Sequence, residues 1–312
     1  MDALFAKLRI KDLQLLRDIA ATRSLTSIAS ARGLSQPGLS RTLRDIEAAL
    51  GAQVFSRDRM ARLEPTPLGR LVLSRIELLL SEADGLKDEL LAFEEGRSTH
   101  LRLGVIPFVS NALMHAILSE LTSDRHAMSI STYEGSTDQL VQALRRQELD
   151  AVLGRIVVDA TTPELHQEKL FTQTASIVVN ASGPLARRKA LKMDALHEHE
   201  WVLPPQPSPT RLAFVEWLVN HGAAPPSARI ETTSARLVHT AISTGVAACG
   251  LLPLDIALEL QKWGGIKAIE FPPSFKMPTV GLISLSKRRG LPAARILRDV
   301  VRQALSRTVA YR

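Results

Sequence analysis

The chain has one cysteine in 312 residues, Cys249, which excludes a disulfide framework within it. Cys249 lies in an apolar run, so a small buried hydrophobe is expected there rather than a redox sensor. Long apolar runs are missing, which argues against a membrane span. The opening MDALFAKLRIKD carries charges where a secretory leader has an apolar stretch. A cytoplasmic protein with no membrane partner is the expectation. Catalytic signatures are missing as well: there is no GxSxG elbow, no Gly-rich phosphate loop and no HExxH. His115, His126, His221 and His239 have no acid–base partner at a recognisable spacing. His197-Glu198-His199-Glu200 could suggest a metal, but i, i+2 spacing takes the histidines off one helical face and no thiol is near. A solvated helix end is the expectation, and no catalytic residue, metal or cofactor is assigned.

What is present begins with length and charge. A chain of 312 residues suggests two domains or more. The net charge of +7 is uneven: residues 1–70 hold 12 Lys/Arg against 7 Asp/Glu, a balance of +5. A basic surface of this kind attracts a polyanion and releases its counterions. A solvated basic face without a partner is the alternative that charge alone leaves open.

The stretch Ser24–Leu50 decides between them. Thr26–Arg32 reads as a short helix, Gly33–Leu34 as a turn, and Ser35 as the cap of a further helix over Gln36–Leu50. Pro37 is tolerated in that helix's first turn, where no intrahelical donor is needed. Leu39, Leu43, Ile46 and Leu50 make one buried stripe. Gln36, Ser40 and Arg44 make a polar stripe with Arg41 beside it, ending in the amides and guanidiniums that match base edges and phosphates. Gly51 is the stop signal. A preceding helix over Lys11–Ala21 completes a helix-turn-helix unit. Beyond it, Val54-Phe55 begins an extended segment that returns at Leu63–Pro65, with Arg57, Arg59 and Arg62 between. That is a wing with a basic tip, which can lie along a groove or backbone; alone, such a tip is also a plain solvated loop. The DNA-facing candidates are Thr26, Ser35, Gln36, Pro37, Ser40, Arg41, Arg44, Arg57, Arg59 and Arg62.

These residues resemble the N-terminal signature of the LysR-type transcriptional regulators. Ser24-Leu25-Thr26, Ala29, Ser35-Gln36-Pro37, Ser40, Leu43, Ile46-Glu47, Leu50-Gly51, Val54-Phe55, Arg57, Pro65-Thr66 and Gly69 carry the match, at fixed spacings. The resemblance implies a winged helix-turn-helix, a dimerising linker helix and a C-terminal ligand-sensing domain. It implies that Gln36, Pro37, Ser40 and Arg41 face double-stranded promoter DNA and that Arg57 supports a backbone contact. It also implies a homodimer, a homotetramer and contact with RNA polymerase. Three departures stand out. Ile28 replaces a usual alanine. Arg32 replaces a usual core leucine, which predicts altered packing or aim of helix 2. The tip Asp58-Arg59-Met60-Ala61-Arg62 lacks the usual Arg-Gly and is one residue longer. PPQPSPTR and EPTPLG are similar to the family branch that controls galactose and aromatic-acid catabolism and uptake.

Leu68–Glu95 contains no proline. Val72, Ile76, Leu79, Ala83, Leu86, Leu90 and Phe93 repeat four, three, four, three, the a/d seam of a coiled coil. A two-chain coiled coil is expected; a single helix packed on its own domain is the alternative. A hinge is expected at Glu94–Thr99.

From His100 onward, short apolar runs alternate with helices, which indicates βαβ units around a largely parallel sheet. The last elements are read as returning to the first block. This gives two lobes with crossovers near Thr172 and Pro278, a layout that resembles the periplasmic-binding-protein fold of the family's sensor domain. The expected fold is an N-terminal all-α winged helix-turn-helix (1–67), a linker helix (68–95) and a two-lobed α/β effector-binding domain (96–312). Lobe 1 covers about 100–172 and 278–312, and lobe 2 about 173–277. By that resemblance a small effector, acidic or sugar-like, lies between the lobes at the carboxyl ends of the strands. Placement nominates Pro107, Phe108, Val109 and Ser110, where helix amides could bind an anion. It also nominates Gly135, Ser136, Thr137, Arg155, Pro205, Arg211, Thr233 and Ser234. Arg155 could pair with a carboxylate in bidentate fashion, and for each candidate a capping or turn role is the alternative. A solute-binding module acting without DNA, and an enzyme lacking any nucleophile–base set, are the competing functions.

Overall fold

The structure, a computed structural model, describes residues 8–57, 62–94, 97, 99–156, 163–187, 197–270, 274–288 and 292–307. The chain divides into two compact units, Met1–Leu90 and Leu91–Arg312.

The first unit opens with three helices, α1 (Ile10–Thr22), α2 (Leu25–Arg32) and α3 (Gln36–Leu50). Each boundary has a local cause. Ser24 Oγ accepts the Ser27 N–H at 3.2 Å and Ser35 Oγ accepts the Gly38 N–H at 3.3 Å, satisfying donors that a helix start leaves free. Gly33 and Gly51 end α2 and α3 at φ of 64° and 62°, a conformation that costs glycine nothing. Leu39, Leu43 and Ile46 of α3 are buried with Leu16, Ile19, Leu25 and Ile28. Ile28, the first departure, therefore fills the core. Arg32, the second, instead points out and its guanidinium pairs with the Asp18 carboxylate of α1. That ion pair joins α2 to α1.

Strands β1 (Phe55–Arg57) and β2 (Leu63–Pro65) pair antiparallel, Ser56 opposite Glu64. Glu47 fixes this hairpin to α3: its Oε1 accepts the Val54 and Phe55 N–H groups at 2.8 and 3.0 Å. Residues 58–61 of the predicted wing tip, including Arg59, lie outside the described residues.

Helix α4 (Pro67–Glu94) follows, 28 residues long. Thr66 starts it by accepting the Gly69 N–H at 2.8 Å. A Cβ at Gly69 would lie 1.9 Å from the Val54 carbonyl oxygen, so only glycine fits there. The heptad seam divides in two. Val72 and Ile76 pack into the core of the first unit, whereas Leu79, Leu86, Leu90 and Phe93 stand exposed, Phe93 at 79%. The single-domain alternative thus holds for the start of the seam only.

The second unit contains two five-stranded sheets. The first is built from β3 (Thr99–Val105), β4 (Met128–Glu134), β5 (Ala151–Arg155), β6 (Leu165–Phe171) and, from the chain's end, β12 (Val280–Leu285), in the order β4-β3-β5-β12-β6. Helices α5 (Asn111–Thr122), α6 (Thr137–Arg145) and α10 (Pro292–Arg307) belong to this lobe. The second sheet holds β7 (Ala175–Asn180), β8 (Trp201–Leu203), β9 (Ala228–Glu231), β10 (Cys249–Pro253) and β11 (Ile266–Glu270), in the order β11-β7-β10-β8-β9. Its helices are α7 (Pro209–Asn220), α8 (Ala235–Ser243) and α9 (Leu254–Gln261).

Each sheet is largely parallel, as expected, but carries one reversed strand: four strands run one way and a single strand runs against them. β4-β3-β5 and β10-β8-β9 are parallel, but β12 runs antiparallel to β5 and β6, and β7 antiparallel to β10 and β11. The antiparallel members flank the passages between lobes: β6 leads out of the first sheet, β7 opens the second, and β12 returns. The passages also hold each other, because Met277 N–H donates to Gln173 O at 2.9 Å and Ala175 N–H to Phe275 O at 2.8 Å.

Gly69→Ala is expected to lower stability by about 1–3 kcal/mol, the cost of forcing a backbone shift in packed surroundings. Denaturant unfolding of the first unit's transition measures it. An unchanged midpoint would show that α4 does not begin against Val54.

Candidate nucleic-acid interface and effector cleft

On α3 the apolar stripe faces inward, so the opposite stripe is left to solvent. Pro37, Arg41 and Arg44 are exposed, Gln36 and Ser40 half-buried, and Thr26 of α2 and Ser35 exposed beside them. Charge pairing separates the arginines of this unit. Arg23 donates to Glu64 at 2.7 Å and Arg32 pairs with Asp18. Arg41 and Arg44 have no ion-pair partner among the described residues. Arg44 reaches only the Ser40 carbonyl, at 3.4 Å. An exposed, unneutralised pair of guanidiniums beside amide and hydroxyl groups, on a helix held from behind, can meet phosphates and base edges. Arg57 lies in β1 and Arg62 is exposed at the start of the returning arm.

In the second unit the topology brings the first-lobe candidates to one edge. β4, β3 and β5 are adjacent and parallel, so Pro107–Ser110 and Gly135–Thr137 follow carboxyl ends and Arg155 is itself the last residue of β5. In the second lobe, parallel β8 and β9 do the same for Pro205 and Thr233-Ser234. Within this frame many candidates serve the fold. Ser110, Ser136 and Ser234 cap α5, α6 and α8 by accepting the N–H of Leu113, Gln139 and Leu237. Thr137 is buried and accepts the Arg155 N–H at 3.0 Å. Phe108 packs into the core of the second lobe, with Val178, Val202 and Ile256.

Two expected anion-binding groups are already filled from inside. Arg155 is buried and donates to Pro278 O at 2.6 Å and Gln173 Oε1 at 2.7 Å. Its guanidinium therefore ties β5 to both crossovers. The start of α5 meets Glu259 of α9: Asn111 N–H and Nδ2 donate to its carboxylate at 3.0–3.3 Å. Gln173 completes the junction, donating through Nε2 to Phe108 O at 2.9 Å and to the Asp255 carboxylate at 3.0 Å. Gln173, Asp255 and Glu259 were missed from the sequence. Asp255 and Glu259 are one helical turn apart on α9, an element that LDIALELQ conceals by continuing the apolar run before it.

Arg211, in the first turn of α7, is buried at 5% exposure. Burial lowers its pKa, opposed in part by the charge of Glu231. Cys249 is fully buried, and burial pushes its thiol up to about 12. His197 and Glu198 are exposed. Among the described residues no group of three or more His, Cys, Asp or Glu side chains is placed to hold a metal, and no helix is long and apolar enough to cross a membrane.

Comparison with known proteins divides the chain in the same way. Residues 10–70 match the family described as bacterial regulatory helix-turn-helix protein, lysR family, and residues 94–306 match the LysR substrate binding domain. The transcriptional regulator GbpR of Azospirillum brasilense is 24% identical over 96% of this chain and 87% of its own length. CbnR, solved with its target DNA, superposes with a TM-score of 0.69 at 18% identity, over 95% of this chain and all of that one. The effector-binding domain of QuiR, solved with shikimate, gives 0.57 at 15% identity over 65% of this chain and 95% of that one.

A thiol held protonated and out of water is a poor nucleophile. Cys249 in the folded chain is expected to react with a maleimide at pH 8 only as fast as the second unit opens, and rapidly once denatured. Fast labelling of the native protein would contradict its placement in the core.

Proposed function

The chain belongs to the LysR-type transcriptional regulators, and from that membership we propose how it reads DNA and how it is assembled. It is a DNA-binding transcriptional regulator with an effector-binding domain, in a family of regulators rather than enzymes. The reading that the second domain acts as a sensor without DNA is not favoured. In the proposal, 1–67 is the DNA-binding domain, 68–95 the dimerising linker and 96–312 the effector domain with its two lobes. α3 enters the major groove, Gln36 and Arg41 read base edges, and Ser35, Ser40 and Arg44 hold the backbone. Thr26, Pro37 and the wing arginines Arg57, Arg59 and Arg62 flank that contact. The observation that carries this reading is the unneutralised Arg41 and Arg44 on the outward face of a capped, core-anchored helix.

Two such heads are held together by the outer seam of α4. A tetramer made of two dimers and contact with RNA polymerase belong to the same proposal and rest on the family's likeness. The effector is a small metabolite in the cleft, contacted by Pro107, Val109, Gly135, Pro205, Arg211 and Thr233, with Phe108, Ser110, Ser136, Thr137, Arg155 and Ser234 forming its walls. The shikimate held by QuiR supports a ligand of that size.

Arg41→Ala is expected to weaken binding to DNA from beside the protein's own gene by about tenfold or more, and to flatten the salt dependence. Its thermal unfolding should be unchanged. Fluorescence anisotropy across salt concentrations measures the first effect; a lost thermal transition would remove α3 as the recognition helix. Leu86→Glu places a charge in the seam and should convert the dimer to a monomer in sedimentation. A variant that keeps the parent's mass would rule out the α4 seam as the dimer contact.

A further inference from the structure

Arg211 occupies the third position of α7. Its backbone N–H is satisfied by Ser208 Oγ at 3.3 Å, but its side chain is not. Nε and Nη1 are both enclosed, and neither meets an acceptor among the described residues. Those two nitrogens sit on different forks of the guanidinium, so neither bidentate edge is complete. Glu231, at the end of neighbouring β9, is near enough for its charge to favour the cation. It nevertheless forms no hydrogen bond or ion pair with Arg211 among the described residues. An enclosed cation with unmade hydrogen bonds is destabilising, and a bound anion removes that cost.

The surroundings point the same way. α7 starts from the loop that leaves β8, and Glu231 ends β9, so Arg211 stands at the carboxyl edge of the parallel pair. The other positive groups at these edges are occupied from within: Arg155 by Pro278 O and Gln173, and the α5 start by Glu259. Arg211 is the cleft candidate with enclosed donors left over.

We propose that Arg211 receives the carboxylate of the effector, so that the sensed molecule is a small organic acid and not a neutral sugar. This rests on the reading that the effector lies between the lobes. The carboxylate fills a guanidinium fork through charge-assisted hydrogen bonds. The rest of the molecule lies against the Pro205 loop and the Thr233-Ser234 turn, which share the same edge.

The test is thermal unfolding of the full chain against a library of organic acids, including benzoate, succinate, pyruvate and shikimate, with their amides and with galactose. The expected result is that an acid raises the midpoint by mass action while its amide does not, and that Arg211→Met loses about tenfold or more in affinity for that acid. Arg211→Met without ligand should also match or exceed the parent's midpoint, because it removes an unpaired buried charge. A lower midpoint would show that the guanidinium has a structural partner and would overturn the proposal. If Arg211→Met does not fold, it is overturned on the same ground unless Glu231→Gln tightens binding of the acid by about threefold, the size of one screened charge pair. A neutral compound that stabilises the parent and Arg211→Met alike overturns the carboxylate assignment and leaves the effector cleft standing. No shift with any compound removes the cleft reading itself.

Discussion

Leu79, Leu86, Leu90 and Phe93 stand half or more exposed along one side of α4. Burying the exposed half of a large apolar side chain contributes about 1 kcal/mol, so a second copy of the helix gains severalfold that over eight side chains. The same seam begins differently. Val72 and Ile76 are consumed by the core of the winged unit, with Leu80 beside them. One continuous helix thus fastens the DNA-binding unit at one end and offers an unpartnered apolar edge further along.

Upstream of that helix, the buried core of the first unit holds the apolar stripe of α3 from behind. Glu47 sits on α3, yet its carboxylate is spent on the Val54 and Phe55 amides, which sets the hairpin against the helix. Glu64 and Asp18 draw off Arg23 and Arg32. The acidic residues neutralise arginines that brace the unit and leave Arg41 and Arg44 for a polyanion, so the local excess of charge becomes a directed one.

Much of this was legible in the sequence because it is local. Ser35, Gly33 and Gly51 each act within a few residues of themselves and mark helix ends directly, whereas the Ser24 cap, which starts α2 at Leu25, was not read from the sequence. The strands Ala175–Asn180 and Trp201–Leu203 announce themselves by apolar runs between turns. What escaped is non-local or masked by exposure. β6 buries only Leu165 and Phe171 at its ends, so an edge strand reads as a polar stretch. Arg32 meets Asp18 from 14 residues away, which no periodicity shows. Arg155 was placed correctly at a strand's carboxyl end, but its partners come from the crossovers, over a hundred residues later in the case of Pro278. The candidate cleft was therefore legible as a set of loops, not as a division of labour among them.

That division bears on regulation. Gln173 joins Arg155, the Phe108 carbonyl and Asp255, and Glu259 joins α9 to α5, so the two lobes are bonded where a ligand would sit. An effector bound there would have to alter these bonds, and in the dimer proposed through α4 such a change would bear on two heads at once. The claim on which this depends is that the chain reads DNA as a twofold pair. Hydroxyl-radical footprinting of the full chain on DNA beside its own gene tests it. The account predicts two protected half-sites on one face of the duplex, related by twofold symmetry and separated by about 10 base pairs or a multiple of that. A single unsymmetrical half-site, bound by one chain, would contradict it.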